Sequence, residues 1–328
     1  GQTMTVSGFV RGAALWCRGV RHLGSDSGWA AHYSALQEVR DATRAQAEGR
    51  FSQAVPLLQR AMEICSGAMP SAHPLARHAR VELAGAQARA GDLDGCALSL
   101  SGLALDSAIV EEAPLSAASY SCSLALCYLL LRRPEDAVQA GWRAHELSSI
   151  QSPTDTDTAP LARALECVGL GSLMLRDSEA LDQLQQAARM SEDGAESISA
   201  LVNLGAARFL VEGCDAKNGG SDADACKESI LDWEEAIELA SDANPENGVP
   251  AQDLAILRSR ALCNIAEARM LLVDDVSEVA PTVKEALDSL KPLEAVNDKD
   301  EAVVVLEIQA KARALGLLGT PPPSHALL

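Results

Sequence analysis

The chain has 328 residues, a formal net charge of −19, and a composition that is 48% hydrophobic but only 3% aromatic. Alanine and leucine supply most of the apolar content, which points to closely packed helices, because strands draw on β-branched and aromatic residues. Residues 1–25 hold three arginines and no acid, leaving 24 basic against 46 acidic residues on the rest, a body that repels phosphate backbones and anionic lipid. No apolar run is long enough to span a bilayer, the best being Leu124 to Leu131. Nine cysteines without a CxxC argue against a zinc ribbon or a thioredoxin-like motif; most read as small buried hydrophobes.

The first element is residues 4–24. At about 100° per residue, Phe9, Ala13, Trp16, Val20 and Leu23 share one face, with Arg11, Arg18 and His22 opposite. An arginine-bearing amphipathic helix without acids reads as a mitochondrial transit peptide, or as an ordered arm or extra capping helix. Mitochondrial localisation is the expectation and cytoplasmic the alternative. Residues 1–28 are accordingly set apart from a body over 29–318 and a flexible tail over 319–328.

The body repeats. GRFSQAVPLLQRAMEI from Gly49 and GDLDGCALSLSGLALD from Gly91 align at an offset of 42. Each has a turn glycine, an apolar residue two places on (Phe51, Leu93), a small residue (Ala54, Cys96), and then Leu58 and Leu100. The pattern returns with Ala137 and Ala144, and again with Ala180, Leu184 and Ala187. A preceding helix carries a small residue twelve places earlier: Ala42, Ala84, Ala125 and, less typically, Val168. Antiparallel helices approach closely only where side chains are small, so the spacing predicts a series of helix hairpins.

AEGRFSQAVPLLQRAMEI and SYSCSLALCYLLLRRPEDA resemble the tetratricopeptide family across its second helix and turn, with Ala125 and Tyr128 in the small and aromatic places. The 42-residue period and the His73-Pro74 pair opening the next repeat resemble the longer kinesin-light-chain variety. The resemblance covers roughly residues 30–292. It implies an all-α, right-handed superhelical solenoid of about six helix hairpins plus a C-terminal capping helix. Hairpin five pairs a helix around Gly205 with one around Ser229 and Ala236, and hairpin six pairs ALCNIAEARMLL with VAPTVKEALDSL. The helix from Asp298 is expected to cap the last apolar face, and thirteen main helices are expected in all. Between Cys214 and Cys226 lies an insertion. It reads as a surface loop, or in an oxidising compartment as a bridged one.

One position recurs two places before each small residue of the first helices: Arg40, Glu82, Ser123, Glu166, Asn203 and Asn264. All six are polar within apolar helices and would line the inner groove. The resemblance implies that Asn203 and Asn264 hold an extended peptide's main chain, a task that suits amides because each both donates and accepts. These helices contain no lysine, which argues against carboxylate-clamping members of the family. There is no GxSxG, GxxxxGK[ST], HExxH or dinucleotide fingerprint, so no catalytic, cofactor or metal role is assigned. The expectation is a non-catalytic protein-interaction scaffold with a basic or neutral protein partner. It is either a subunit or assembly factor of a mitochondrial complex or a soluble peptide-binding adaptor.

Overall fold

The computed structural model describes residues 33–34, 36–151, 158–191, 195–213, 223–242, 251–272 and 279–294. Among these residues there are helices and turns and no strand. The arm at 4–24, loop residues 214–222, the expected capping helix from Asp298 and the tail lie outside the described residues. The chain divides into two compact units, Gly1–Leu175 and Arg176–Leu328.

The first unit contains α1 (Gln37–Ala47), α2 (Phe51–Ala68), α3 (Pro74–Arg89), α4 (Leu93–Ala104), α5 (Ser107–Glu112), α6 (Pro114–Leu130), α7 (Pro134–Gln151) and α8 (Ala159–Leu175). Successive long helices pack on one another, α4 meets α6, and α6 also meets α8. This nearest-neighbour pattern is what repeat packing requires. The hairpins α1/α2, α3/α4 and α6/α7 fall where the small-residue spacing places them. Helix α5 was not expected. It fills the connection after α4, with the Asp106 side chain accepting from the Ala108 amide at 3.0 Å and Ile109 buried.

The three hairpin turns of this unit are built alike. Gly49, Gly91 and Arg132 adopt left-handed φ values of 72°, 79° and 56°. The next residue's amide then donates to the carbonyl five places back: Arg50 to Ala45, Asp92 to Gln87 and Arg133 to Tyr128, all at 2.8–2.9 Å. This closure satisfies carbonyls that the helix end leaves open. Glycine adopts the conformation freely, whereas a side-chain residue loses about 1–2 kcal/mol there. Prolines open α3, α6 and α7, and the His73 Nδ1 accepts from the Leu75 amide at 3.1 Å, so the His-Pro pair is a helix start.

The seam expected from the sequence is buried: Ala54, Ala61, Ala125, Ala137 and Ala144 are 0% exposed and Ala187 is 1%. Val168, the atypical member, has a local reason. A Cβ on Gly141 of α7 would lie 2.7 Å from its Cγ2, and a Cβ on Gly171 of α8 would lie 2.6 Å from the Val138 Cγ2. Each valine fills the space that the other helix's glycine leaves.

The second unit contains α9 (Ala180–Met190), α10 (Ala195–Arg208), a π-helical turn (Phe209–Gly213), α11 (Ala223–Asp242), α12 (Ala251–Leu272) and α13 (Ala280–Glu294). Successive helices pack here too, and α10 also meets α12. Gly205 lies beneath Trp233: an added Cβ would come within 2.6 Å of the indole Nε1 and 3.0 Å of the Ser229 carbonyl. The buried indole donates to the Val202 carbonyl at 3.1 Å and meets Phe209 edge-on. Twelve of the thirteen expected helices are thus present. The thirteenth described helix is α5, not the cap.

Candidate partner-binding surface

The six row positions fall on the first helices of successive pairs, but they are not equally open. Arg40 of α1 is exposed and donates to Gln37 at 2.9 Å. Glu82 of α3 is half-buried, accepts from the Tyr33 hydroxyl at 3.3 Å and has the His78 Nε2 at 3.7 Å. Burial, together with the Glu82 charge and hydrogen bond, pushes the Tyr33 phenol above its usual range. Ser123 of α6 is buried and its hydroxyl donates to the Ser119 carbonyl at 2.9 Å. Glu166 of α8 is half-buried. Asn203 of α10 and Asn264 of α12 are 5% and 8% exposed. The two asparagines therefore lie among packed side chains. The elements bring Ser123 and Glu166 onto one touching pair of helices, α6 and α8, and the asparagines onto another, α10 and α12.

A second set of candidate contacts was not foreseen. Large apolar side chains are exposed on the second helices, Ile64 on α2, Leu98 on α4, Trp142 and Ile150 on α7, and Leu231 on α11, and also on the first helices, Leu115 on α6, Leu175 on α8 and Met270 on α12. Leu98 is 76% and Trp142 44% exposed. The indole of Trp142 is steadied edge-on by His145, with centroids 5.5 Å apart. Leu98 edges a groove of about 290 Å³ between α2, α3 and α4, with Met62 and Leu83 as apolar lining and Gln59, Gln87 and Ser99 as polar lining. The Ser99 hydroxyl donates to the Gln87 Oε1 at 2.8 Å. In the second unit a groove of about 400 Å³ lies between α11, α12 and α13, where Arg258 pairs with Glu285 at 2.9 Å.

Charge differs between the two sets of helices. In the first unit, α2, α4 and α7 hold five acidic and two basic residues, whereas α1, α3, α6 and α8 hold four acidic and six basic. In the second unit, α9, α11 and α13 hold eleven acidic and four basic residues, against three and four on α10 and α12. Among these helices the excess of acids thus lies on the second of each pair, and the first helices are close to neutral. A count by alternate helix was legible in the sequence. The outward apolar residues were not, since on α4 and α7 they interrupt the same periodicity that the buried ones create.

Two partly buried electrostatic features hold these helices. The last carbonyls of α4 are taken by arginines from its neighbours: Arg80 donates to Gly102 at 3.0 Å and Arg143 to Ala104 at 3.2 Å. Cations at a helix C-terminus also oppose its dipole. In the second unit Arg208 lies 3.1 Å from Asp232 and 3.4 Å from Glu228. Burial pushes the Asp232 carboxyl up to about 6 despite Arg208, with Glu235 and Glu228 adding repulsion. Among the described residues no helix is long and apolar enough to cross a membrane.

No protein-family model matches the chain, and no curated protein matches it. Among solved structures, it is similar to nearly identical TPR-like repeats of a Podosopora anserina protein designated a kinesin light chain. A point-substituted form of that protein has a TM-score of 0.48 at 16% identity, covering 67% of this chain and 98% of the other. A second structure of those repeats has a TM-score of 0.46 at 16% identity, covering 63% and 96%.

Proposed function

We propose that this protein is a non-catalytic scaffold that holds a basic or neutral protein partner, as a subunit or assembly factor of a multiprotein complex. The observation that carries the reading is the outward face of the second helices, where Trp142 and Leu98 stand exposed among a majority of acids. Exposed tryptophan surrounded by polar residues is the usual anchor of a protein interface, and the acids steer an oppositely charged surface towards it. Native fractionation of cells carrying the tagged full chain tests this. A subunit elutes with one large assembly, and Trp142→Ala moves it to the size of the free chain. A chain that elutes alone and binds short peptides is instead an adaptor, the second reading, which the row from Arg40 to Asn264 favours.

The mitochondrial setting is part of the proposal and rests on residues 4–24. Fused to a fluorescent reporter, they are expected to direct it to mitochondria, and changing Arg11, Arg18 and Arg21 to Gln is expected to abolish this. Cytosolic reporter in both cases removes the mitochondrial reading and leaves the scaffold.

A further inference from the structure

Seven of the nine cysteines are among the described residues, and all seven are buried. Four of them meet in two facing pairs within the first unit. Cys96 of α4 and Cys127 of α6 have thiols within hydrogen-bonding reach of each other. The Cys127 Sγ also donates to the Leu93 carbonyl at 3.7 Å, over the first turn of α4. Cys122 of α6 and Cys167 of α8 form the second pair. There the Cys167 Sγ lies 3.8 Å from the Cys122 carbonyl oxygen. Each of these sulfurs thus lies against the main chain of the helix that carries its facing cysteine. Cys122 and Cys127 are five places apart, roughly 140° around the helix. Helix α6 therefore presents one thiol to α4 and the other to α8.

We propose that Cys96–Cys127 and Cys122–Cys167 are two latent disulfide sites that lock α4, α6 and α8 together when the protein meets a small-molecule disulfide. With oxidised glutathione, Cys127 loses its proton and its sulfur attacks the glutathione disulfide. That S–S bond breaks, and one glutathione leaves as a thiolate that takes up a proton. Cys96, deprotonated in turn, attacks the mixed disulfide, forming the protein bridge and releasing the second glutathione thiol. Two protein thiols are oxidised and one glutathione disulfide is reduced. The hydrogen bond from Cys96 draws the Cys127 thiol below its usual range, so it attacks first once the seam opens and exposes the buried pair. The Cys122 hydrogen bond and burial hold Cys167 well above its usual range, so the second pair reacts when the seam opens. The bridges span 31 and 45 places in the sequence, so each removes substantial freedom from the unfolded chain.

The test treats the purified full chain with oxidised glutathione at neutral pH, without denaturant and in urea just below the unfolding transition. Samples are quenched with acid and N-ethylmaleimide and mapped by proteolysis and mass spectrometry. The expected result is peptides linked Cys96–Cys127 and Cys122–Cys167, with the thermal midpoint raised by roughly 5–15 °C. Cys127→Ala is expected to lose only the first link and Cys167→Ala only the second, in variants whose circular dichroism remains helical. Bridges between other cysteines in place of these overturn the proposal. So does glutathione left on them as mixed disulfides, or no bridge even in urea where the seams open. Both bridges with an unchanged midpoint reject the locking role.

Discussion

Arg132 holds a left-handed φ of 56° at the turn position that Gly49 and Gly91 fill in the preceding hairpins. Replacing it with glycine removes that strain, offset in part by glycine's greater freedom in the unfolded chain. Arg132→Gly is expected to stabilise the protein by about 0.5–1 kcal/mol, read as a higher urea midpoint. Asp232 gives a pH signature of opposite habit to most carboxylates. Its folded-state value of about 6 lies above the unfolded one, so the folded chain binds a proton first as pH falls. Asp232 therefore makes the protein more stable as pH drops from about 7 to about 5. The stability difference between wild type and Asp232→Asn is expected to shift in favour of the wild type by about 1–3 kcal/mol over that window. A parallel pair of stability curves would show that the carboxyl titrates normally.

At the scale of elements, close approach governs. Gly205 leaves no room for a methyl beneath Trp233, so Gly205→Ala must displace the indole or part α10 from α11. A loss of about 1–3 kcal/mol is expected even against alanine's better helix propensity, with a change in the buried tryptophan's fluorescence. Ala137→Leu in the α6/α7 seam is expected to cost about the same, because Ala137 is fully buried. Undiminished stability of either variant would mean that the helices separate freely, against the packing described. The end of α4 depends on side chains from two other helices, α3 of its own hairpin and α7 of the next. Arg80 and Arg143 were unremarkable in sequence because their acceptors are main-chain carbonyls, which leave no trace in side-chain patterns.

For the whole molecule, the two candidate faces make opposite forecasts. If the partner docks on the second helices, Trp142→Ala together with Leu98→Ser weakens it by about 2 kcal/mol or more, and binding falls as salt rises. Fold is retained, because both side chains face outward. Asn203→Ala with Asn264→Ala makes the contrary case. Both amides are buried, so this pair is expected to lower stability by about 1–3 kcal/mol, and binding must be compared at equal folded fraction. Titration of the purified partner by calorimetry separates the two. Loss with the asparagine pair and none with the Trp142 variant moves the site to the first helices.

The sequence by itself determined the helix pairs and their seams. Small residues at a fixed spacing are a local cause with a local effect, and Ala54, Ala125 and Ala137 went where that spacing put them. It also determined the turns, since Gly49 and Gly91 announce a left-handed residue and His73-Pro74 a helix start. Only the tertiary structure decided which polar residues are open. Asn203 and Asn264 share a helical register with exposed Arg40, yet they are buried and it is not. It alone showed Val168 fitted to Gly141, Asp232 desolvated beside Arg208, and four cysteines facing in pairs. Each of these depends on which residue of one helix meets which of another, and periodicity within a single helix carries no record of that.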